Sequence, residues 1–119
     1  MGNFKRFEVV YLKEAVDFLL SLPQQARSKI DYNIRKVSGG VIDSELFKKL
    51  EGANDLWEFR TKYNGIQYRL LAFWDDDTKH MVVATHGFIK KVWRVPGKEI
   101  SRAEDLKRMY YENKIRNGQ

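Results

Sequence analysis

The sequence predicts an α+β fold: a small antiparallel sheet with two helices from the N-terminal half on one face, and a further helix at the C-terminus. Three observations predict it. Asn64-Gly65, the strongest short-range sign of a β-hairpin, lies between two stretches of strand character. Two runs with helical spacing of apolar residues precede that hairpin, and a third follows Pro96-Gly97. The order is strand, helix, helix, three antiparallel strands, helix.

Residues 7–12 alternate and are rich in branched and aromatic side chains, which predicts a first strand. Leu12, Ala15, Val16, Leu19 and Leu22 then recur at helical spacing, with Lys13, Glu14 and Asp17 largely off that stripe. Ser21-Leu22-Pro23-Gln24 has the residue types of a new helix start: serine as cap, proline in the first turn, and glutamine three positions after the cap. This second helix turns Ala26, Ile30, Ile34 and Val37 inward and stops at Ser38-Gly39-Gly40. Residues 45–50 suit a short helical turn, ended by Gly52-Ala53-Asn54-Asp55. Strands are expected over residues 56–63, 66–74 and 80–85, the last two joined by the polar loop of residues 75–79. Residues 87–95 carry no clear pattern. The final helix presents Ile100, Ala103, Leu106 and Tyr110 on one face and frays over residues 113–119.

The hairpin fixes which side chains meet. A two-residue turn at Asn64-Gly65 sets Lys62 opposite Gln67, Thr61 opposite Tyr68 and Arg60 opposite Arg69. Glu58, Arg60, Lys62, Gln67 and Arg69 therefore share one sheet face, and Trp57, Phe59, Thr61, Tyr63, Tyr68 and Leu70 the other. Two arginines directly opposed across a ladder repel. Such a departure from local preference marks a place built to hold an anion such as phosphate. Helices need apolar partners and should cover the Trp57, Phe59 and Tyr68 side. Arg60, Lys62 and Arg69 are then expected in an open concavity.

Composition narrows the partners. At 119 residues, 43% hydrophobic and 32% charged, the chain reads as one globular domain over residues 1–119, with no staple needed. A net charge of +6 and a pI near 9.5 favour a polyanion, nucleic acid before membrane, because no segment joins a basic face to a long apolar one. The absence of cysteine removes thiolate catalysis and thiolate ligation, and two histidines without paired acidic spacing make a metal site improbable. No cofactor is expected. Residues 1–6 enter the first strand without an apolar signal-peptide core, and no apolar run reaches membrane-spanning length, so a cytoplasmic location is expected.

The segments Leu56-Trp57-Glu58-Phe59-Arg60, Tyr68-Arg69-Leu70-Leu71 and His86-Gly87-Phe88-Ile89-Lys90-Lys91, followed by Pro96, Glu99-Ile100 and Ala103, resemble the RelE/HigB-like toxins of type II toxin–antitoxin systems, in particular their phage-derived HigB-like branch. The resemblance spans nearly the whole chain and rests on the joint order and spacing of short motifs. It implies a RelE-like fold and a ribosome-dependent endoribonuclease that cleaves messenger RNA and is held inactive by a cognate antitoxin. The implied reaction is attack of the RNA 2'-hydroxyl on the adjacent phosphate, leaving a 2',3'-cyclic phosphate and a 5'-hydroxyl. Such a transesterification needs positioning, charge neutralisation and proton transfer, and no metal.

By position, the resemblance makes Arg60 and Arg69 the phosphate clamp, with Lys62, Lys90 and Lys91 contacting RNA. Guanidinium groups suit the clamp because they grip two phosphate oxygens and stay charged. His86 is the first candidate for proton shuttle and Glu58 the second. Each has a structural alternative: His86 as a hydrogen-bonded residue at a strand end, Glu58 as a surface ion pair with Arg60 or Lys62, the lysines as solvated charge. His80, Trp57, Phe59, Tyr68 and Trp74 read as core or rim, whereas Trp93 or Tyr110-Tyr111, near basic residues, could stack on a base. Two further functions share the fold: a non-catalytic ParE-like toxin that inhibits DNA gyrase, and a phage-derived nucleic-acid-binding protein. The basic constellation favours the nuclease.

Overall fold

The computed structural model describes residues 6–118; the N-terminal reading that concerns residues 1–5, and the last residue of the expected frayed end, lie outside them. The elements are β1 (Glu8–Tyr11), α1 (Lys13–Leu20), α2 (Gln24–Ser38), β2 (Phe47–Lys49), β3 (Leu56–Tyr63), β4 (Ile66–Trp74), β5 (Met81–Lys90) and α3 (Gly97–Arg116). The five strands form one sheet in the order β1-β5-β4-β3-β2, antiparallel throughout except that edge strand β1 runs parallel to β5.

The hairpin register is the one the turn dictates. Asn64 and Gly65 both adopt positive φ, +53° and +80°, and Arg60 pairs with Arg69, Thr61 with Tyr68 and Lys62 with Gln67. On one sheet face, α1 and α2 cover Phe59, Tyr68, Leu70, Ala72, Val82 and Ala84, with Ala15, Ala26, Ile30, Ile34 and Val37 filling the layer between. Asn33, buried in α2, donates to the Thr61 hydroxyl at 3.0 Å and so satisfies the polar pair in that layer.

Five expectations are corrected. Residues 47–49 form β2, antiparallel to β3, rather than part of a helical turn; Phe47 stacks on Phe59 at 4.5 Å between centroids, which ties this short edge to the core. Ser21 closes α1, its hydroxyl donating to the Phe18 carbonyl at 2.6 Å, while Pro23 in extended conformation takes the N-cap position of α2. The last strand continues to Lys90, and α3 continues to Arg116 where fraying was expected.

The fifth correction bears on function. α3 does not join the other helices; it packs across the opposite face, where Ala103, Ile100, Tyr110 and Tyr111 meet Leu56, Leu71, Phe73, Val83 and Phe88. Residues 70–73 of β4 are apolar on both sides, the pattern of a strand covered on both faces. The cationic face is therefore open only beyond the N-terminal end of α3. No helix among the described residues is long and apolar enough to cross a membrane.

Candidate nucleic-acid interface

The ladder carries three rungs of side chains out of the α3-covered area. Lys48 on β2 pairs with Glu58 on β3; Arg60 pairs with Arg69, which pairs in turn with Phe88 on β5; Lys62 pairs with Gln67 and Gln67 with Lys90. Because partners on adjacent strands point to the same face, Lys48, Glu58, Arg60, Arg69 and Lys90 converge. They surround or underlie a cleft of about 800 Å³ whose walls are β2–β3 on one side and the β5–α3 connection on the other.

Arg69 is the centre of this arrangement, and it is not in an open concavity as expected: only 3% of it reaches solvent. Its guanidinium lies 3.2 Å from Glu58 Oε1, donates to the Gln67 side chain at 3.1 Å and to the Tyr68 carbonyl at 3.1 Å. Burial lowers the pKa of this arginine, and the Glu58 carboxylate acts against that shift. Glu58, also buried, approaches Arg60 Nε at 3.9 Å. It is thus a carboxylate lodged between two guanidinium groups rather than the surface ion pair expected, and it offsets the repulsion across the Arg60–Arg69 rung. Arg60 is partly exposed and reaches the Ser44 carbonyl at 3.3 Å. The Lys90 ammonium has its pKa lowered by burial first and by the positive field of Arg69 second.

Of the sequence-predicted residues, Glu58, Arg60 and Lys90 line the cleft, and Arg69 lies beneath them. Lys62 and Lys91 are exposed and lie outside the lining. His86 is elsewhere. Between Leu71 and Ala72 the β4–β5 register shifts, leaving Thr85 as an extra residue, and this bulge turns His86 toward α3. The His86 ring is 1% exposed, with Nε2 at 3.0 Å from Glu99 Oε1 and Nδ1 at 3.1 Å from the Thr85 hydroxyl, which itself donates to the Leu71 carbonyl. Burial holds its pKa below the usual histidine value, partly opposed by Glu99. Both nitrogens are engaged: Nε2 fastens α3 to the sheet through Glu99, and Nδ1 is held within the sheet by Thr85.

Sequence reasoning missed Lys48, Lys49 and Arg94, which complete the cleft walls together with Trp93, the aromatic it had singled out. The adjacent basic pair in residues 48–49 was a readable signal once β2 is recognised as a strand, since Lys48 then falls on the Glu58 face. The two ends of the final helix are also unlike. Near its C-terminus Tyr110 and Lys114 both donate to Asp75 Oδ2, the latter at 2.6 Å, and the Tyr111 hydroxyl accepts from the Asp76 N–H at 2.8 Å.

Residues 17–108 match the family model of the phage-derived, Gp49-like proteins. The chain belongs to that family. Among solved structures, this Gp49-like protein is similar to a mutant of the Escherichia coli toxin RelE in the free state, with a TM-score of 0.61 and 18% identity over 84% of this chain and 96% of that one. The RelE-like fold and the phage-derived family expected from the sequence are both found. No curated protein matches the Gp49-like chain in sequence.

Proposed function

We propose that this chain is the toxin of a type II toxin–antitoxin system, a cytoplasmic, ribosome-dependent endoribonuclease that cuts messenger RNA by metal-free transesterification. The observation that carries the reading is the cleft itself: Lys48, Arg60 and Lys90 around a buried Glu58–Arg69 pair, on a fold whose Escherichia coli representative is a toxin. Such a cleft suits a ribose–phosphate backbone rather than an apolar or protein surface. These cations favour a nuclease over gyrase inhibition.

In this reading Arg60 and Lys90 flank the scissile phosphate while Arg69, from below, adds positive potential and holds Glu58 in place. The 2'-oxygen forms a bond to phosphorus as the bond to the 5'-oxygen breaks. Glu58 accepts the 2'-hydroxyl proton, and Lys90, acidified by its surroundings, delivers a proton to the departing 5'-oxygen. His86 is assigned no proton transfer here, because its ring nitrogens hold Glu99 and Thr85. The cognate antitoxin acts by denying RNA this cleft.

A translating extract supplied with the protein and a reporter message tests the proposal. Cut ends bearing 2',3'-cyclic phosphate and 5'-hydroxyl are expected, confined to translated message and lost with Arg60→Ala or Lys90→Ala. A message that stays intact during translation overturns it.

A further inference from the structure

Three aromatic residues close to basic groups, Trp93, Tyr110 and Tyr111, differ sharply in what they do. Tyr110 and Tyr111 are committed to the fold: their hydroxyls bond Asp75 and the Asp76 backbone, and their rings pack against Phe73. Trp93 is 83% exposed, on the irregular segment between β5 and α3, and it lines the cationic cleft together with Lys48, Arg60 and Lys90. The other two tryptophans, Trp57 and Trp74, are half-buried around Phe47. Arg94 lies against the Trp93 ring, with Cζ at 5.4 Å from its centroid.

A large ring left in water beside a groove of positive charge is the arrangement of single-strand nucleic-acid binders, in which cations track phosphates and an aromatic face receives a base. Resting on the RNA-cleaving reading above, we propose that Trp93 is a positioning residue on which a nucleobase of the bound strand stacks, orienting the ribose next to the phosphate held by Arg60 and Lys90. Arg94 takes up the outer ring face or the neighbouring phosphate. Stacking on a π-face tolerates every base, so this contact fixes the strand without selecting its sequence.

Binding of a short 2'-O-methyl RNA oligonucleotide, which lacks the attacking hydroxyl, tests this apart from catalysis. An abasic oligonucleotide of equal length and charge serves as the second probe. Trp93→Ala is expected to weaken the base-bearing oligonucleotide roughly 5- to 100-fold and to leave the abasic one unchanged. Trp93→Phe keeps most of the affinity and Trp93→Leu does not, with thermal unfolding unaltered in all three. Equal weakening of both probes, no weakening, or no preference of the unsubstituted protein for bases overturns the stacking role. Full affinity in Trp93→Leu also overturns it and marks an apolar docking point for a protein instead. Base-dependent binding that persists while translated message stays intact leaves the stack standing and removes the nuclease.

Discussion

The Glu58–Arg69 pair shows how a single residue makes an otherwise repulsive rung tolerable. Two guanidinium groups face each other, one almost wholly out of water, and a buried carboxylate 3.2 Å from Arg69 compensates them. Removing one member of a buried pair leaves the other charge uncompensated, at a cost well above that of an exposed pair. Glu58→Gln is expected to lower the unfolding free energy by about 3 kcal/mol in urea titrations, while Glu58→Leu combined with Arg69→Met recovers much of that loss. Arg69→Ala consequently perturbs stability as well as chemistry. Arg60→Ala and Lys90→Ala are the cleaner probes of the proposed phosphate contact.

Helix α3 shows the same economy at the scale of an element. Only Ala103 of its 20 residues is fully buried, and both ends are fastened by polar contacts, Glu99 to His86 and Lys114 with Tyr110 to Asp75. Burial alone would raise the Asp75 pKa, but Lys114, Tyr110 and the N–H groups of Asp77 and Thr78 bring it down to about 2. A depressed carboxylate binds fewer protons when folded, so its stabilisation, about 2 kcal/mol, is complete above pH ~4 and disappears as pH falls toward 2. Asp75→Asn should therefore be less stable than the unsubstituted protein at pH 6, and that gap should close by about pH 2. On the other side of the sheet, a methyl group at Gly87 would stand 2.2 Å from the Phe18 ring. Gly87→Ala is expected to cost about 2 kcal/mol by overpacking, and less in a Phe18→Leu background, as thermal denaturation will show.

What the sequence made legible divides along these same elements. The register of β3 and β4 could be read because a two-residue turn with both φ positive permits one pairing. The inner stripe of α2 could be read because Ala26, Ile30, Ile34 and Val37 repeat cleanly. The side taken by α3 was hidden in β4, whose residues 70–73 are apolar on both faces, a signal of double coverage easily taken for an ordinary core strand. The buried position of His86 away from the cleft could not be read because the bulge at Thr85 reverses the alternation of β5 and leaves no mark in composition. Strand β2 escaped because three residues with two lysines show no strand periodicity.

For the molecule as a whole, the +6 charge matters by where it is concentrated. Neutralised phosphates release counterions, and for single strands the logarithm of affinity falls with that of salt by about 0.7 per phosphate. Arg60→Ala and Lys90→Ala are each expected to flatten that slope by about 0.7, whereas Lys13→Ala and Lys36→Ala, on the far helices, leave it unchanged. Titrations of RNA binding against potassium chloride will separate these cases.

The register shared by β2, β3, β4 and β5 has a thermodynamic consequence. Lys48, Arg60 and Lys90 project from strands bonded into one ladder, so their spacing cannot widen or narrow without breaking backbone hydrogen bonds. Under the proposed function, the strand of RNA must conform to the protein rather than the reverse. The ordering entropy of the encounter therefore falls on the nucleic acid, and amide exchange in these four strands should be as slow before association as after it.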